Sequence, residues 1–147
     1  MLFLRSLIFN ILFFGWGFIS AILFFPFFII STSATQKMAR PWAAVGLWLA
    51  RVICGIRYEV RGQQYIVPPG KDNAVIYASK HQSAWDTMIF HQLSYCPAYV
   101  LKRELLWMPL WGWYLWRMKM IAIDRSAKTS SMKQLIKQAK SVLAEPR

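Results

Sequence analysis

The chain has 147 residues, of which 56% are hydrophobic and only 16% are charged, and its 18 basic against 6 acidic residues give a formal net charge of +12. Soluble proteins carry about 25% charged residues, so this composition favours a protein that meets anionic membranes, where each cation gains roughly 1 kcal/mol. No zinc finger, RNP motif or compact basic run is present, which argues against a nucleic-acid partner. Cys54 and Cys96 belong to no spaced framework, which excludes a disulfide-stapled secreted fold.

The first 36 residues form the most apolar part of the chain. No charged residue occurs between positions 6 and 36, and residues 7–30 are almost wholly apolar. As an α-helix they would extend about 36 Å, enough for a hydrocarbon core of about 30 Å, whereas the apolar core of a signal peptide has about 7–15 residues. We predict a membrane anchor helix in residues 1–36, crossing the bilayer or lodged in one leaflet, with a kink or an end at Pro26.

Positive charge accumulates directly after this segment. Only Arg5 and the amino terminus precede it, whereas five cations follow it: Lys37, Arg40, Arg51, Arg57 and Arg61. Basic residues that flank membrane segments stay on the cytoplasmic side. We therefore expect a protein of the inner, cytoplasmic membrane whose later part faces the cytoplasm.

A second apolar segment covers residues 41–56. Pro41 suits the first turn of a helix, Trp42 and Trp48 favour the membrane–water boundary, and Arg51 argues against a full span. We predict an interfacial helix and connector in residues 37–62. A short buried core helix is the alternative.

Four later segments have strand patterns. Residues 56–62 alternate apolar and charged side chains, as a half-exposed strand does. Residues 74–78 form a short apolar run typical of a buried strand, and residues 97–101 and 120–123 indicate two more.

Helical patterns separate these strands. One covers residues 83–93, and another follows the capping cluster Thr-Ser-Ser at residues 129–131. Between them, residues 104–118 are aromatic and apolar on nearly every face and are interrupted by Pro109 and Gly112. Strands that alternate with helices favour an α/β fold.

A histidine and an aspartate, His81 and Asp86, stand five positions apart where the predicted strand gives way to a helix. In an ideal helix these positions differ in direction by about 140°, so the side chains meet only if His81 lies in the turn and Asp86 in the first helical turn. Such a carboxylate fixes the imidazole tautomer and leaves the other nitrogen as a general base. The alternative is a structural pair, a histidine that caps its own loop and an aspartate favoured by the helix dipole.

Two other chemistries are disfavoured at this junction. Ser83 lies close by, but no Gly-x-Ser-x-Gly elbow supports it as a nucleophile, so the base would act on a hydroxyl brought by the substrate. A metal site built from His81, Asp86, His91 and Cys96 fits none of the zinc spacings.

Three ordered blocks carry a family resemblance. KHQSAWDT (residues 80–87) resembles the His-x4-Asp block of the 1-acylglycerol-3-phosphate acyltransferases, in the glycerolipid acyltransferase family, although Lys80 stands where that block usually has Asn. KRELLWMPLWG (residues 102–112) resembles the second block and IAIDR (residues 121–125) the third. Agreement at three ordered blocks is far more specific than at one, and the resemblance covers about residues 74–143.

The resemblance implies a membrane-bound acyltransferase of phospholipid biosynthesis. His81 would deprotonate the sn-2 hydroxyl of lysophosphatidic acid and Asp86 would orient His81, so that the oxygen attacks the thioester of acyl-CoA or acyl carrier protein and gives phosphatidic acid. Lys102 and Arg125 would bind the glycerol phosphate, as fixed cations do. The implied partners are membrane lipids and the thioester co-substrate, with no metal and no further cofactor.

One departure qualifies the resemblance. The family's fourth block, Phe-Pro-Glu-Gly-Thr-Arg, does not occur before the chain ends at Arg147. We therefore expect a C-terminally truncated chain in which residues 63–147 form the N-terminal part of the acyltransferase α/β domain. Two alternatives stay open: another lysolipid acyltransferase of the family, for example one acting on lyso-ornithine lipid, or a non-catalytic membrane-anchored protein that binds anionic lipid.

Overall fold

The computed structural model of the chain describes residues 2–66, 75–124 and 129–144. The described part is mostly helical and contains a small parallel sheet, which confirms the predicted α/β class. Short 3-10 helices occur at Gln63–Tyr65 and Arg103–Trp107. The other elements, in chain order, are α1 (Leu2–Leu23), α2 (Phe25–Ile30), α3 (Thr32–Cys54), α4 (Ala84–Leu93), β1 (Val100–Lys102), α5 (Trp111–Arg117), β2 (Ile121–Ile123) and α6 (Thr129–Leu143).

The sheet consists of β1 and β2, which confirms the two later strand predictions. They pair in parallel, with Val100 opposite Ile121 and Lys102 opposite Ile123. The connection between them contains the second 3-10 helix and α5, as a parallel pair requires. On the neighbouring helix α6, the Gln138 amide donates to the Ala122 carbonyl at 2.9 Å and accepts from the Ala122 N–H at 3.1 Å, which fastens α6 to β2.

The two earlier strand predictions are wrong for the residues described. Residues 56–62 form neither helix nor strand, and residues 75–78 are irregular and exposed, with Ile76 82% exposed. Residue 74, the first of the predicted buried strand, lies outside the described residues. An alternating or apolar pattern becomes a strand only beside a partner, and neither segment pairs with β1 or β2.

The N-terminal helices break and resume near the predicted position. α1 ends at Leu23 and α2 begins at Phe25 with Pro26 in its first turn, which confirms the break. The Ser31 hydroxyl then accepts from the Ala34 N–H at 3.0 Å and caps α3.

Pro41 lies inside α3, so the prediction that it starts a helix is wrong. A proline in a helix interior costs about 3 kcal/mol, but the cap at Ser31 and the packing of α3 against α1 and α4 hold the helix through it. α3 is consequently continuous across residue 36, the predicted boundary between the anchor and the interfacial segment.

Two buried clusters join α3 to the rest of the molecule. Ala43 and Leu47 of α3 pack with Met88 and Ile89 of α4. The second cluster joins α3 to the sheet and to the end of α5; its buried members are Ala39, Leu101, Met118 and Met120. α3 therefore lies between the apolar helix α1 and the elements that carry the polar site.

The outer face of α1 is apolar and exposed. By length and composition α1 is able to cross a membrane. Its inner face is occupied: the indole N–H of Trp16 donates to the Trp42 carbonyl at 3.1 Å, and the Tyr114 hydroxyl donates to the Ala21 carbonyl at 2.6 Å. α1 thus packs along one side on α3 and α5 and presents its other side outward.

We expect Gly112→Ala to destabilise the fold. A Cβ at this position of α5 would overlap the Leu106 carbonyl oxygen and lie 3.0 Å from that of Leu105, both of them backbone atoms that cannot rotate away. The free energy of unfolding, measured by denaturant titration in detergent micelles, should fall by about 1–3 kcal/mol or more. The matched control is Gly15→Ala in α1, where a Cβ meets nothing within 4 Å; it should be neutral or stabilise the helix by about 1 kcal/mol. Equal effects of the two substitutions would contradict the packing argument.

Candidate active site

The start of α4 is built around the carboxylate of Asp86. Ser83 is the N-cap residue, and its hydroxyl accepts from the Trp85 N–H at 3.2 Å. Asp86 reaches back from the first turn, where its Oδ2 accepts from the N–H groups of Gln82 at 2.7 Å and Ser83 at 3.0 Å. This capping box satisfies backbone donors that a helix start would otherwise leave without partners, and it confirms the predicted helix start.

The same carboxylate faces the imidazole of His81. Asp86 Oδ2 lies 3.4 Å from His81 Nδ1, and the side chains are 22% and 67% exposed, respectively. The distance is slightly longer than a usual hydrogen bond of about 2.7–3.2 Å, and catalytic hydrogen bonds often tighten only when substrate binds. The turn thus brings together the two residues whose spacing predicts a pair.

The charge of Asp86 is set mainly by the backbone. Hydrogen bonds from the Gln82 and Ser83 N–H groups hold the pKa of the Asp86 carboxyl below its ordinary value of 3.8, and the nearby His81 lowers it further. An ionised Asp86 favours a proton on Nδ1 of His81. Nε2 then carries the lone pair, and among the residues that the structure describes it has no hydrogen-bond partner. The exposed ring is able to take a proton from a bound hydroxyl.

Tyr99 links this turn to the sheet. Its hydroxyl donates to the Thr87 carbonyl, one residue after Asp86, at 2.6 Å, and Tyr99 immediately precedes β1. Burial raises the pKa of Tyr99, so the hydroxyl stays a donor at neutral pH. The sequence does not single out Tyr99, because this contact spans two elements and has no local pattern.

Lys102, one of the two predicted phosphate ligands, ends β1. Its ammonium lies 3.7 Å from the Glu104 carboxylate, and both side chains are more than half exposed. Such a surface ion pair contributes about 0–1 kcal/mol, so Lys102 can exchange Glu104 for a ligand at little cost. Arg125, the other predicted phosphate ligand, lies outside the described residues. The structure therefore brings His81 and Asp86 together, whereas Lys102 pairs with Glu104.

The potential metal ligands near this site are His81, Asp86, His91 and Cys96. Within residues 2–66, 75–124 and 129–144, no group of three or more His, Cys, Asp or Glu side chains is arranged to hold a metal ion. His91 lies on the buried face of α4, and Cys54 and Cys96 are half-buried.

The lowered pKa of Asp86 predicts a pH-dependent stability. Because the native pKa lies below the unfolded one, the carboxylate stabilises the fold fully above pH 3.8, and this contribution is lost as the pH falls through the native pKa. In Asp86→Asn the amide oxygen can still accept both N–H groups, but the titration is gone. The free energy of unfolding of the variant, followed by denaturant titration from neutral to acid pH, should therefore fall less steeply than that of the parent.

The matched control for this measurement is Glu59→Gln. It neutralises a carboxylate whose described partner is the exposed Arg61 and which caps no helix. The control should keep the acid-side slope of the parent. An unchanged slope in Asp86→Asn would contradict the role assigned to the two N–H groups.

Comparison with known proteins places the chain in a family. The Acyltransferase family model matches residues 57–146. The chain is 42% identical over 131 residues to a protein named 1-acyl-sn-glycerol-3-phosphate acyltransferase from Pseudomonas aeruginosa, with 88% of this chain and 48% of that protein covered, so that it spans about half the length of this relative. No solved structure matches the chain significantly. The chain belongs to the acyltransferase family, as its three sequence blocks predict.

Proposed function

We propose that the chain functions as a 1-acyl-sn-glycerol-3-phosphate acyltransferase. This enzyme moves an acyl group from acyl-CoA or acyl carrier protein to the sn-2 hydroxyl of lysophosphatidic acid. The observation that carries this proposal is the 3.4 Å approach of His81 Nδ1 to an Asp86 carboxylate that two backbone N–H groups already hold in place. The name of the Pseudomonas relative supports the choice of acceptor.

The geometry supports direct transfer with general-base catalysis. His81 Nε2 takes the proton of the sn-2 hydroxyl while the hydroxyl oxygen attacks the thioester carbonyl carbon. Asp86 stabilises the imidazolium that forms. When the tetrahedral intermediate collapses, the carbon–sulfur bond breaks and the proton on His81 passes to the departing thiolate. The donor is a co-substrate, and this scheme assigns no other cofactor.

Lys102 and Arg125 would hold the phosphate of the acceptor. β1 and β2 are parallel, and Lys102 stands at the carboxyl end of β1 opposite Ile123. Parallel strands place their carboxyl ends at one edge of the sheet, where α/β proteins commonly bind ligands. A cation fixed there can position the acceptor so that its hydroxyl reaches the base.

We further propose that the protein lies on the cytoplasmic face of the membrane with α1 in one leaflet. The inner side of α1 is bonded to α3 and α5 through Trp16 and Tyr114, contacts that a helix crossing the bilayer on its own would have to give up. Its exposed apolar side then meets the hydrocarbon. Trp107 and Trp116, 79% and 66% exposed, suit the membrane–water boundary on the same side of the fold as α2.

His81→Ala should abolish most acyl transfer while leaving the fold intact. Loss of the general base should lower kcat by about 10²–10⁴-fold, whereas removal of an exposed side chain should change stability by less than about 0.5 kcal/mol. Transfer of labelled acyl groups from acyl-CoA to lysophosphatidate is measured for these 147 residues and for a version that continues through the family's fourth block.

Asp86→Asn should lower kcat less than His81→Ala does, because the base remains but loses its counter-charge. Glu59→Gln is the control and should leave activity unchanged. Substantial activity in His81→Ala, in a version where the parent is active, would refute the mechanism.

Lys102→Gln should weaken acceptor binding more than it slows chemistry. Because a hydrogen bond to a charged group is worth about 1.5–3 kcal/mol, the KM for lysophosphatidate should rise at least tenfold, with little change in the KM for acyl-CoA. The paired variant Glu104→Gln removes the carboxylate 3.7 Å from the lysine and should leave the KM for lysophosphatidate unchanged or lower it. An equal rise in both variants would show that the ion pair matters structurally and that Lys102 does not bind phosphate.

A further inference from the structure

A cavity of about 300 Å³ opens where α3 meets the end of α4. This volume is at the lower end of the range for small-molecule sites. Its lining residues are Gln36, Lys37, Arg40, His91, Tyr95 and Cys96. The cavity lies toward the far end of α4 from Asp86, since His91 follows Asp86 by five residues, or about 7.5 Å along a helix axis.

His91 is a buried polar side chain that makes no hydrogen bond to any residue that the structure describes. Within the described part of the chain it is 7% exposed, and its ring meets Tyr99 edge to face with centroids 5.2 Å apart. The other buried polar side chains described, Ser20, Thr35 and Gln36, each donate to a backbone carbonyl. Native proteins rarely leave such a group unsatisfied, so the imidazole at the wall of this cavity is available to hydrogen-bond a ligand there.

The charges around the cavity have one sign. Lys37 and Arg40 are three residues apart and so share a face of α3, and neither side chain has an ion pair or hydrogen bond to any residue that the structure describes. None of the lining residues that the structure describes carries a carboxylate. The C-terminal end of α4 supplies about half a negative charge, which offsets only part of the two positive charges.

Donors therefore outnumber acceptors at this cavity. Burial lowers the pKa of His91 to about 4, so at neutral pH its neutral ring offers one N–H. Lys37 and Arg40 supply charged donors, and Tyr95 adds a hydroxyl that is able to donate. Tetrahedral oxyanions suit such a set, because they accept several charge-assisted hydrogen bonds at once.

We propose that this cavity binds a phosphate group, with Lys37 and Arg40 neutralising its charge and His91 donating a hydrogen bond to it. The site is separate from the Lys102 edge of the sheet and stands whether or not the chain catalyses acyl transfer. Phosphate of this kind reaches the protein as a soluble monoester or as the headgroup of an anionic membrane lipid.

The two histidines of the chain allow a direct test. In His81→Ala, in detergent micelles, His91 gives the one remaining imidazole signal in a ¹H–¹³C spectrum of histidine-labelled protein. Inorganic phosphate is added against chloride at constant ionic strength. The His91 signal should move along a saturable curve, because the ligand reaches the ring. A signal that does not respond to millimolar phosphate would overturn the proposal.

A charge-matched pair of variants separates a built site from general attraction of anions. Lys37→Gln with Arg40→Gln should weaken the response at least about tenfold. Lys137→Gln with Lys140→Gln removes two exposed cations at the same spacing on α6 and should leave it unchanged. Equal weakening by both pairs would overturn the proposal, and the denaturation midpoint of each variant confirms that it is folded.

Two further ligands identify the source of the phosphate. Saturation by sn-glycerol 3-phosphate would assign a soluble monoester. Saturation by micelles that contain phosphatidylglycerol, without a response to the monoester, would assign a lipid headgroup. In either case the response should weaken at least about tenfold in Lys37→Gln with Arg40→Gln, and an undiminished response in that variant would contradict the assignment.

Discussion

Close packing at Gly46 holds the molecule together, because three helices meet there. A Cβ at this position of α3 would lie 3.0 Å from the Phe13 ring in α1 and 2.7 Å from the Met88 sulfur in α4. The fully buried Ala43 extends this contact one turn along α3. Small residues allow helices to approach closely, and dense interiors transmit position accurately. The orientation of α4, and with it the His–Asp pair, is therefore fixed relative to the apolar outer face of α1.

At the start of α4, one oxygen atom takes part both in the helix cap and in the contact with the imidazole. Asp86 Oδ2 accepts from Gln82 and Ser83 and also faces His81. The structural and catalytic interpretations of this pair are thus compatible. The backbone N–H groups hold the carboxylate in place before any substrate arrives, and the proposed mechanism would use this preorganised partner for the imidazole.

Local signals in the sequence predicted the elements that form through local interactions. Ser83 marks the start of α4 because capping is a contact between near neighbours. The strand predictions at residues 56–62 and at Ile76 are wrong because a strand pattern forms a strand only when it pairs with another strand. In the described structure these segments have no such partner. The prediction that Pro41 starts a helix is wrong because tertiary packing overrides a local preference. Ala43 and its neighbours pack against α4, and this packing outweighs the preference for a helix start at Pro41.

Lys37 and Arg40 show what sequence position alone conceals. In the sequence they are cations after an apolar segment, and they contribute only to the predicted orientation in the membrane. In the fold, α3 packs on α4, and the Gln92 amide donates to the Arg40 carbonyl at 2.9 Å, which brings both cations beside His91, 51 positions beyond Arg40. A basic residue that only sets the orientation of the chain in the membrane does not need a fixed position beside other side chains. These two share a cavity with a buried imidazole that makes no hydrogen bond to a described residue, and tertiary packing thereby gathers part of a general excess of positive charge at the place that we propose for an anion.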